Sequence, residues 1–197
     1  MFHALQDWGV GPEAEWLMPI RLTMLVAVAA FALLNSRPLA AQQVTKQEVP
    51  GIVNFARLET TVACGGATKP EAVAEVKKLG FASIINLRLP TENGANIEAE
   101  AAAAEAANIK FFHIPMNGQS PDAAVADKFL ATITTKGNEP AFIQCASGNR
   151  AAAMWMIKRL AVDHWETDKA FEEASALGLT SPTLKQFAID YAQSHKR

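Results

Sequence analysis

Cysteine is scarce in this chain, with only Cys64 and Cys145 among 197 residues, which rules out a disulfide-built scaffold. Neither cysteine has a partner at zinc-ligand spacing, and the four histidines (His3, His113, His164, His195) are scattered, so nothing points to a metal or other cofactor. Neither sign of charge is in excess: 18 Lys and Arg against 20 Asp and Glu leave a net charge of −2. Without a basic run or an aromatic platform, nothing marks nucleic acid as a partner. Long apolar runs are missing too. The longest in the N-terminal part, Leu22 to Leu34, has 13 residues, short for a bilayer span and the right length for a signal-peptide core.

Arg21 precedes that run and Ala40-Ala41 follow it, so cleavage is expected before Gln42. Residues 1–17, upstream of Met18, do not resemble a signal n-region. The chain is expected to divide into an N-terminal extension with signal peptide, 1–41, and one domain, 42–197, located in the periplasm or secreted. Membrane contact is expected only if the N-terminal segment stays uncleaved. A domain of that size buries enough surface to fold without disulfides.

What is present is most concentrated at residues 141–150, Ala-Phe-Ile-Gln-Cys-Ala-Ser-Gly-Asn-Arg. An apolar strand ends at Cys145, a short loop containing Gly148 follows, and Arg150 opens a helical run. That layout puts a thiol at a helix N-terminus, where unpaired N–H groups and the helix dipole favour negative charge. The same field activates cysteine nucleophiles by lowering the thiol pKa. Arg150 adds a fork that grips an oxyanion through two hydrogen bonds. Cys145 and Arg150 are therefore the candidate catalytic pair, and Ala146, Ser147, Gly148 and Asn149 the candidate anion-binding loop, for a small anionic or phosphorylated substrate.

Along the domain, strands are expected at Leu58–Ala63, Phe81–Leu87, Ile109–Ile114 and Ala141–Gln144. Helices are expected after Thr68-Lys69-Pro70-Glu71 with Thr68 as cap, at Ile97–Ala107, after Ser120-Pro121-Asp122, and near Ala151–Val162, Thr167–Leu177 and Pro182–Ser194. The Ala/Glu-rich Ile97–Ala107 helix reads as helix propensity rather than function. The alternation predicts an α/β fold with a central four- to five-stranded, mainly parallel sheet flanked by helices. Ligands then bind beyond the carboxyl ends of the strands, where Cys145 lies.

VPGIVNFARLETTVACGGATKPEAVAEVKKLGFASIINLR (Val49–Arg88), FFHIPMNGQSP, QCASGNRAAAMW and SPTLKQFAIDYA together resemble a bacterial family. It is the phosphatase-like domain also found fused to beta-lactamase-hydrolase-like proteins, related to dual-specificity and tyrosine phosphatases. The resemblance implies a single phosphatase-like domain with Cys145 as nucleophile, Arg150 as oxyanion ligand and the amides of 146–150 as the cradle. Four departures from the tyrosine-phosphatase pattern stand out. Four residues rather than five separate Cys145 from Arg150, as in the six-residue loop of rhodanese-like sulfurtransferases. Gln144 replaces the preceding His, and Ala151 replaces the hydroxyl residue after Arg. In the loop where an acidic residue is expected, Asn117 occupies its place; Asp122, five residues on, is the candidate general acid, although it also suits the first turn of a helix.

Three readings stay open: a phosphatase acting through a thiophosphate on Cys145, a rhodanese-like sulfurtransferase carrying a Cys145 persulfide, and a catalytically weak anion-binding pseudophosphatase. Around the site, Gly65-Gly66 suits either close backbone approach or an ordinary turn. Arg88 and Glu92 follow the second strand and either face the pocket or, as surface charges commonly do, pair at the surface, which is the preferred reading. His113 is expected to be a hydrogen-bonded core or edge residue, and Trp155 and Met156 to be core. A Cys64–Cys145 disulfide is geometrically open only if the first and fourth strands run parallel.

Overall fold

The computed structural model describes residues 43–195; the expected signal segment and its cleavage point lie outside them. The strands are β1 (Val44–Lys46), β2 (Ala56–Leu58), β3 (Val62–Gly65), β4 (Ser83–Asn86), β5 (Lys110–His113) and β6 (Ala141–Gln144). The helices are α1 (Val73–Lys78), α2 (Ile97–Ala106), α3 (Ala123–Ile133), α4 (Asn149–Ala161), α5 (Thr167–Leu177) and α6 (Pro182–Ser194), with a 3-10 turn at Pro70–Ala72. They build an α/β fold on one sheet of order β1-β2-β3-β6-β4-β5. β3, β6, β4 and β5 are parallel, and β1 and β2 add an antiparallel edge.

The sheet therefore has six strands rather than four or five. The expected Leu58–Ala63 strand is in fact a hairpin. Leu58 faces Val62 across the turn Glu59-Thr60-Thr61, where Glu59 adopts φ 41°. Apolar residues on both sides of two threonines read as one β-branched run, and the register shows the fold turning inside it. Thr68 also differs from its expected role: its hydroxyl donates to Gly66 O at 3.3 Å, while Lys69 precedes the 3-10 turn. The remaining helices and strands fall within a few residues of their expected spans.

Alternation along the strands separates two cores. Val62, Cys64, Ile143 and Cys145 face the layer of α3, α4, α5 and α6. Ala63, Ile84 and Phe142 face Val73 and Val76 of α1 and Ala104 of α2. The α4 helix is buried from Arg150 through Arg159, so apolar residues surround its axis and fix its N-terminus against the carboxyl edge of β6. Trp155 and Met156 are core residues, each 0 % exposed.

Candidate active site

Cys145 follows β6 directly, and its N–H donates to Gly65 O at 3.1 Å, extending the β3–β6 ladder. Gly148 then turns the chain with φ 101°, a left-handed conformation that suits glycine. Its N–H donates to Cys145 Sγ at 3.1 Å. The loop is held from outside through its carbonyls: Ala146 O accepts from Ala67 N at 2.9 Å and Ser147 O from Asn54 Nδ2 at 3.1 Å. Peptide units are planar and trans, so a carbonyl bonded outward turns the next residue's N–H inward. The amides of Ser147 and Gly148 thus face the sulfur side, and the first turn of α4 adds N–H groups with no intrahelical acceptor.

Asn149 serves as a brace rather than a cradle side chain. Its Oδ1 accepts from Thr180 N at 2.7 Å and Ser181 N at 2.9 Å, and its Nδ2 donates to Thr180 Oγ1 at 2.9 Å. This ties the loop to the α5–α6 turn. Gly66 serves close approach: a Cβ there would stand 2.8 Å from Ala146 O and 2.9 Å from Val53 Cβ. Gly65 is similarly confined, with its Cβ position 2.8 Å from the Phe142 ring. Of the two readings open for this pair, the structure supports backbone proximity to the loop.

Arg150 opens α4 as its second residue. Its Nη1 donates to Met116 O at 2.7 Å, Leu87 O at 3.1 Å and Glu92 Oε1 at 2.6 Å, and Nη2 donates to Glu92 Oε2 at 2.9 Å. Gly118 lies over its stem, where a Cβ would sit 3.3 Å from Cγ and Cδ. Burial works against the charge of Arg150, but the Glu92 carboxylate and the adjacent Cys145 outweigh it and raise the arginine pKa. The guanidinium is thus fixed by Glu92 and two backbone carbonyls, and the nearby charge of Cys145 favours its cationic form.

Glu92 takes the pocket-facing alternative and not the preferred surface pairing. Its bidentate contact with Arg150 is joined by Leu89 N–H at 2.9 Å and Arg88 Nε at 3.4 Å. Partial burial opposes ionisation, yet the Arg150, Leu89 and Arg88 contacts pull its carboxyl down to about 2. Arg88 is not a surface residue either: at 2 % exposure it donates to Asn93 O at 2.6 Å and Gly94 O at 3.1 Å, folding the 88–94 loop around itself. The spacing Arg88-x3-Glu92 looks like a surface ion pair; nothing local in the sequence shows that Arg150 completes it 58 residues later. His113 is on the edge strand as expected, its Nε2 bonded to Arg88 O at 2.8 Å.

Asp122 is exposed and caps α3, its Oδ1 accepting the Ala124 N–H at 2.9 Å. Asn117 Oδ1 accepts the Gln119 N–H at 3.0 Å and stiffens the loop. Ala146 and Ser147 are exposed at the mouth of the loop, above buried Cys145. A cleft of about 910 Å³ adjoins it, bordered by Lys46, Asn54, Phe55, Ser147, Asn149 and Thr180, but lined by neither Cys145 nor Arg150. β3 does run parallel to β6, and Cys64 and Cys145 share one face of the sheet; both are free thiols. Burial first, then Cys145 and Glu173, push the Cys64 thiol well above its usual value. No cluster of three His, Cys, Asp or Glu residues suited to a metal occurs among the described residues.

A thiol under helix-terminal amides, with a fixed arginine beside it on a mostly parallel sheet, defines a domain of the cysteine-phosphatase-like class. Within that class, the chain belongs to the family of the beta-lactamase hydrolase-like protein, phosphatase-like domain, whose model matches residues 54–162. No curated protein sequence matches it. Among solved structures it is similar to a DUF442 protein of Shewanella putrefaciens CN-32, at 16 % identity and TM-score 0.64 over 76 % of this chain and 97 % of that one. It is also similar to the core catalytic domain of the PP-IP phosphatase SIW14 of S. cerevisiae (19 %, 0.59, 73 % and 88 %). The third is TpbA of P. aeruginosa (18 %, 0.59, 80 % and 92 %), one form of which was crystallised with pTyr. At these identities the likeness carries the fold.

Proposed function

We propose that this domain is a cysteine-dependent phosphatase acting on small or peptide-borne phosphate monoesters. The observation that carries the reading is the position of Cys145 Sγ, bonded to the Gly148 amide at 3.1 Å beside a guanidinium held by Glu92. The Cys145 thiolate attacks phosphorus; an S–P bond forms as the P–O bond to the leaving group breaks. Arg150 and the inward amides of the loop stabilise the negative equatorial oxygens. Water then attacks the thiophosphate, releasing inorganic phosphate and the thiolate, with its surplus proton passing to solvent.

Asn117 cannot donate as an acid and Asp122 is engaged in a helix cap, so leaving groups that depart without protonation are favoured. Aryl phosphates fit, and the TpbA complex with pTyr supports that substrate class. The test is steady-state hydrolysis of an aryl phosphate by freshly reduced protein and by Cys145→Ser. Turnover that the substitution abolishes is expected; none by the reduced wild type overturns the reading.

The four-residue spacing between Cys145 and Arg150 favours a second reading, sulfur transfer, in which Cys145 takes sulfane sulfur from thiosulfate, releases sulfite and passes the sulfur to a nucleophile. A mass gain of one sulfur atom on Cys145 after thiosulfate treatment supports it, and an unchanged mass removes it.

A further inference from the structure

Directly behind the candidate nucleophile lies a buried polar cluster that the reaction above does not use. Gln144 is the last residue of β6, immediately before Cys145, and pairs in register with Asn86 of β4. Glu100 projects from α2 between them. Glu100, Gln144 and Asn86 are each 0 % exposed. Asn86 Nδ2 donates to Glu100 Oε2 at 2.9 Å, and the orientation of that amide is fixed because its Oδ1 accepts the Arg88 N–H at 2.8 Å. Gln144 Nε2 donates to the same Oε2 in a short contact.

That leaves two buried oxygens without a hydrogen-bond partner among the described residues, Oε1 of Glu100 and Oε1 of Gln144. They belong to two planar groups already joined along one edge. Both are acceptors while Glu100 is ionised, and buried acceptors without donors are costly. One proton on Glu100 Oε1 supplies a donor for the Gln144 oxygen and satisfies both atoms.

We propose that Glu100 is held as the neutral carboxylic acid in a two-point pair with Gln144, and is the positioning residue that seats the Cys145 loop without placing negative charge behind the sulfur. Burial raises the Glu100 carboxyl above the usual range, against the opposing influence of Gln144, Arg88, Asn86 and His113. Arg88 after β4 and His113 on β5 are the charged or titratable groups that face it, and both would favour the anion. In the sequence, Gln144 stands where tyrosine phosphatases carry a histidine, and the acid–amide pair gives that position a rigid neutral partner. The proposal deepens the reading above and rests on it only for the role of Cys145.

The first test is infrared spectroscopy of the whole domain at pH 8, with and without carboxyl-labelled glutamate. A protonated-carboxyl C=O band that moves with the label is expected, and absence of such a band overturns the proposal without any variant. The second is the rate of Cys145 alkylation by iodoacetamide against pH. Glu100→Gln keeps a neutral two-point pair and is expected to follow the wild-type profile within about twofold. Gln144→Glu makes two facing carboxyls share one proton, adds one negative charge, and is expected to slow alkylation at pH 7 by about tenfold or more. The double variant Glu100→Gln with Gln144→Glu exchanges acid and amide and is expected to recover the wild-type rate. A Glu100→Gln profile moved to lower pH, or a double variant no faster than Gln144→Glu, overturns the proposal. Neither readout requires turnover, so both can succeed or fail separately from hydrolysis of an aryl phosphate.

Discussion

Replacing Glu92 by Gln removes the anionic half of the Arg150 contact while keeping its size, and turns one acceptor into an N–H₂ facing a guanidinium that only donates. Moving a carboxyl from its ordinary 4.5 to about 2 is equivalent to about 3 kcal/mol at 1.36 kcal/mol per tenfold. The Glu92 side chain is still 20 % exposed, so solvent screening reduces the expected loss to about 1–2 kcal/mol. The sign follows from a depressed carboxyl. Its contribution is complete above pH 4.5, declines as acidity increases, and is gone below the folded-state value of about 2. Urea unfolding of wild type and Glu92→Gln across pH 7 to 2 should show a gap of that size at neutral pH which closes in the acid range. Because Arg150 then keeps only one neutral acceptor from position 92 beside the Leu87 and Met116 carbonyls, inorganic phosphate should also bind about tenfold more weakly. Equal stability at pH 7, or a gap that persists unchanged at pH 2, would refute the reasoning.

Gly66→Ala places a methyl 2.8 Å from Ala146 O, so either the loop or the Val53 segment must move; a stability loss of about 1–3 kcal/mol and weaker phosphate binding are expected, and unfolding curves and affinities matching wild type would disprove the contact. Asp122→Asn preserves a good helix cap and should change aryl phosphate turnover by less than about twofold, whereas Asp122→Ala should cost about 1 kcal/mol; a hundredfold loss of kcat in Asp122→Asn would instead mark that carboxyl as the acid. The raised Cys64 thiol stays protonated at neutral pH, so native protein should take up one equivalent of iodoacetamide, at Cys145, and two only after unfolding. Uptake on Cys64 in the native state would contradict its burial.

The parts of this protein that were legible in its sequence are those whose cause is local. The stretch from Ala141 through Cys145 to Arg150 announces strand, loop and helix because a short apolar run, a glycine and the start of a helical pattern succeed one another within ten residues. That Asp122 lies at the start of a helix follows from Ser-Pro-Asp before an apolar-periodic run, although its place as the cap itself comes from the structure. What the sequence hid depends on contacts between distant segments. Glu92 meets Arg150 only because the β4 and β6 carboxyl edges are adjacent in the sheet. Glu100 sits in an Ala/Glu-rich helix where every glutamate looks solvent-facing, and only the burial of that one position under β4 and β6 distinguishes it from Glu98 and Glu105. The β2–β3 hairpin was masked because Thr60 and Thr61 continue a β-branched pattern through a turn.

The shortness of the loop makes those distant contacts necessary. With only Ala146, Ser147, Gly148 and Asn149 between sulfur and guanidinium, the loop has too few residues to build hydrogen bonds of its own without spending the amides an anion needs. Its outward carbonyls are therefore bonded by Ala67 and Asn54, its last side chain is bonded by Thr180 and Ser181, and its arginine is fixed by Glu92 and two strand-end carbonyls. Each of these partners comes from a segment other than the loop, and together they leave its inward N–H edge turned toward Cys145 Sγ, which the Gly148 amide meets. Preorganised dipoles of this kind stabilise developing charge without rearranging, which is why damage to a brace such as Gly66 or Glu92 should weaken the proposed phosphate binding even though neither belongs to the loop.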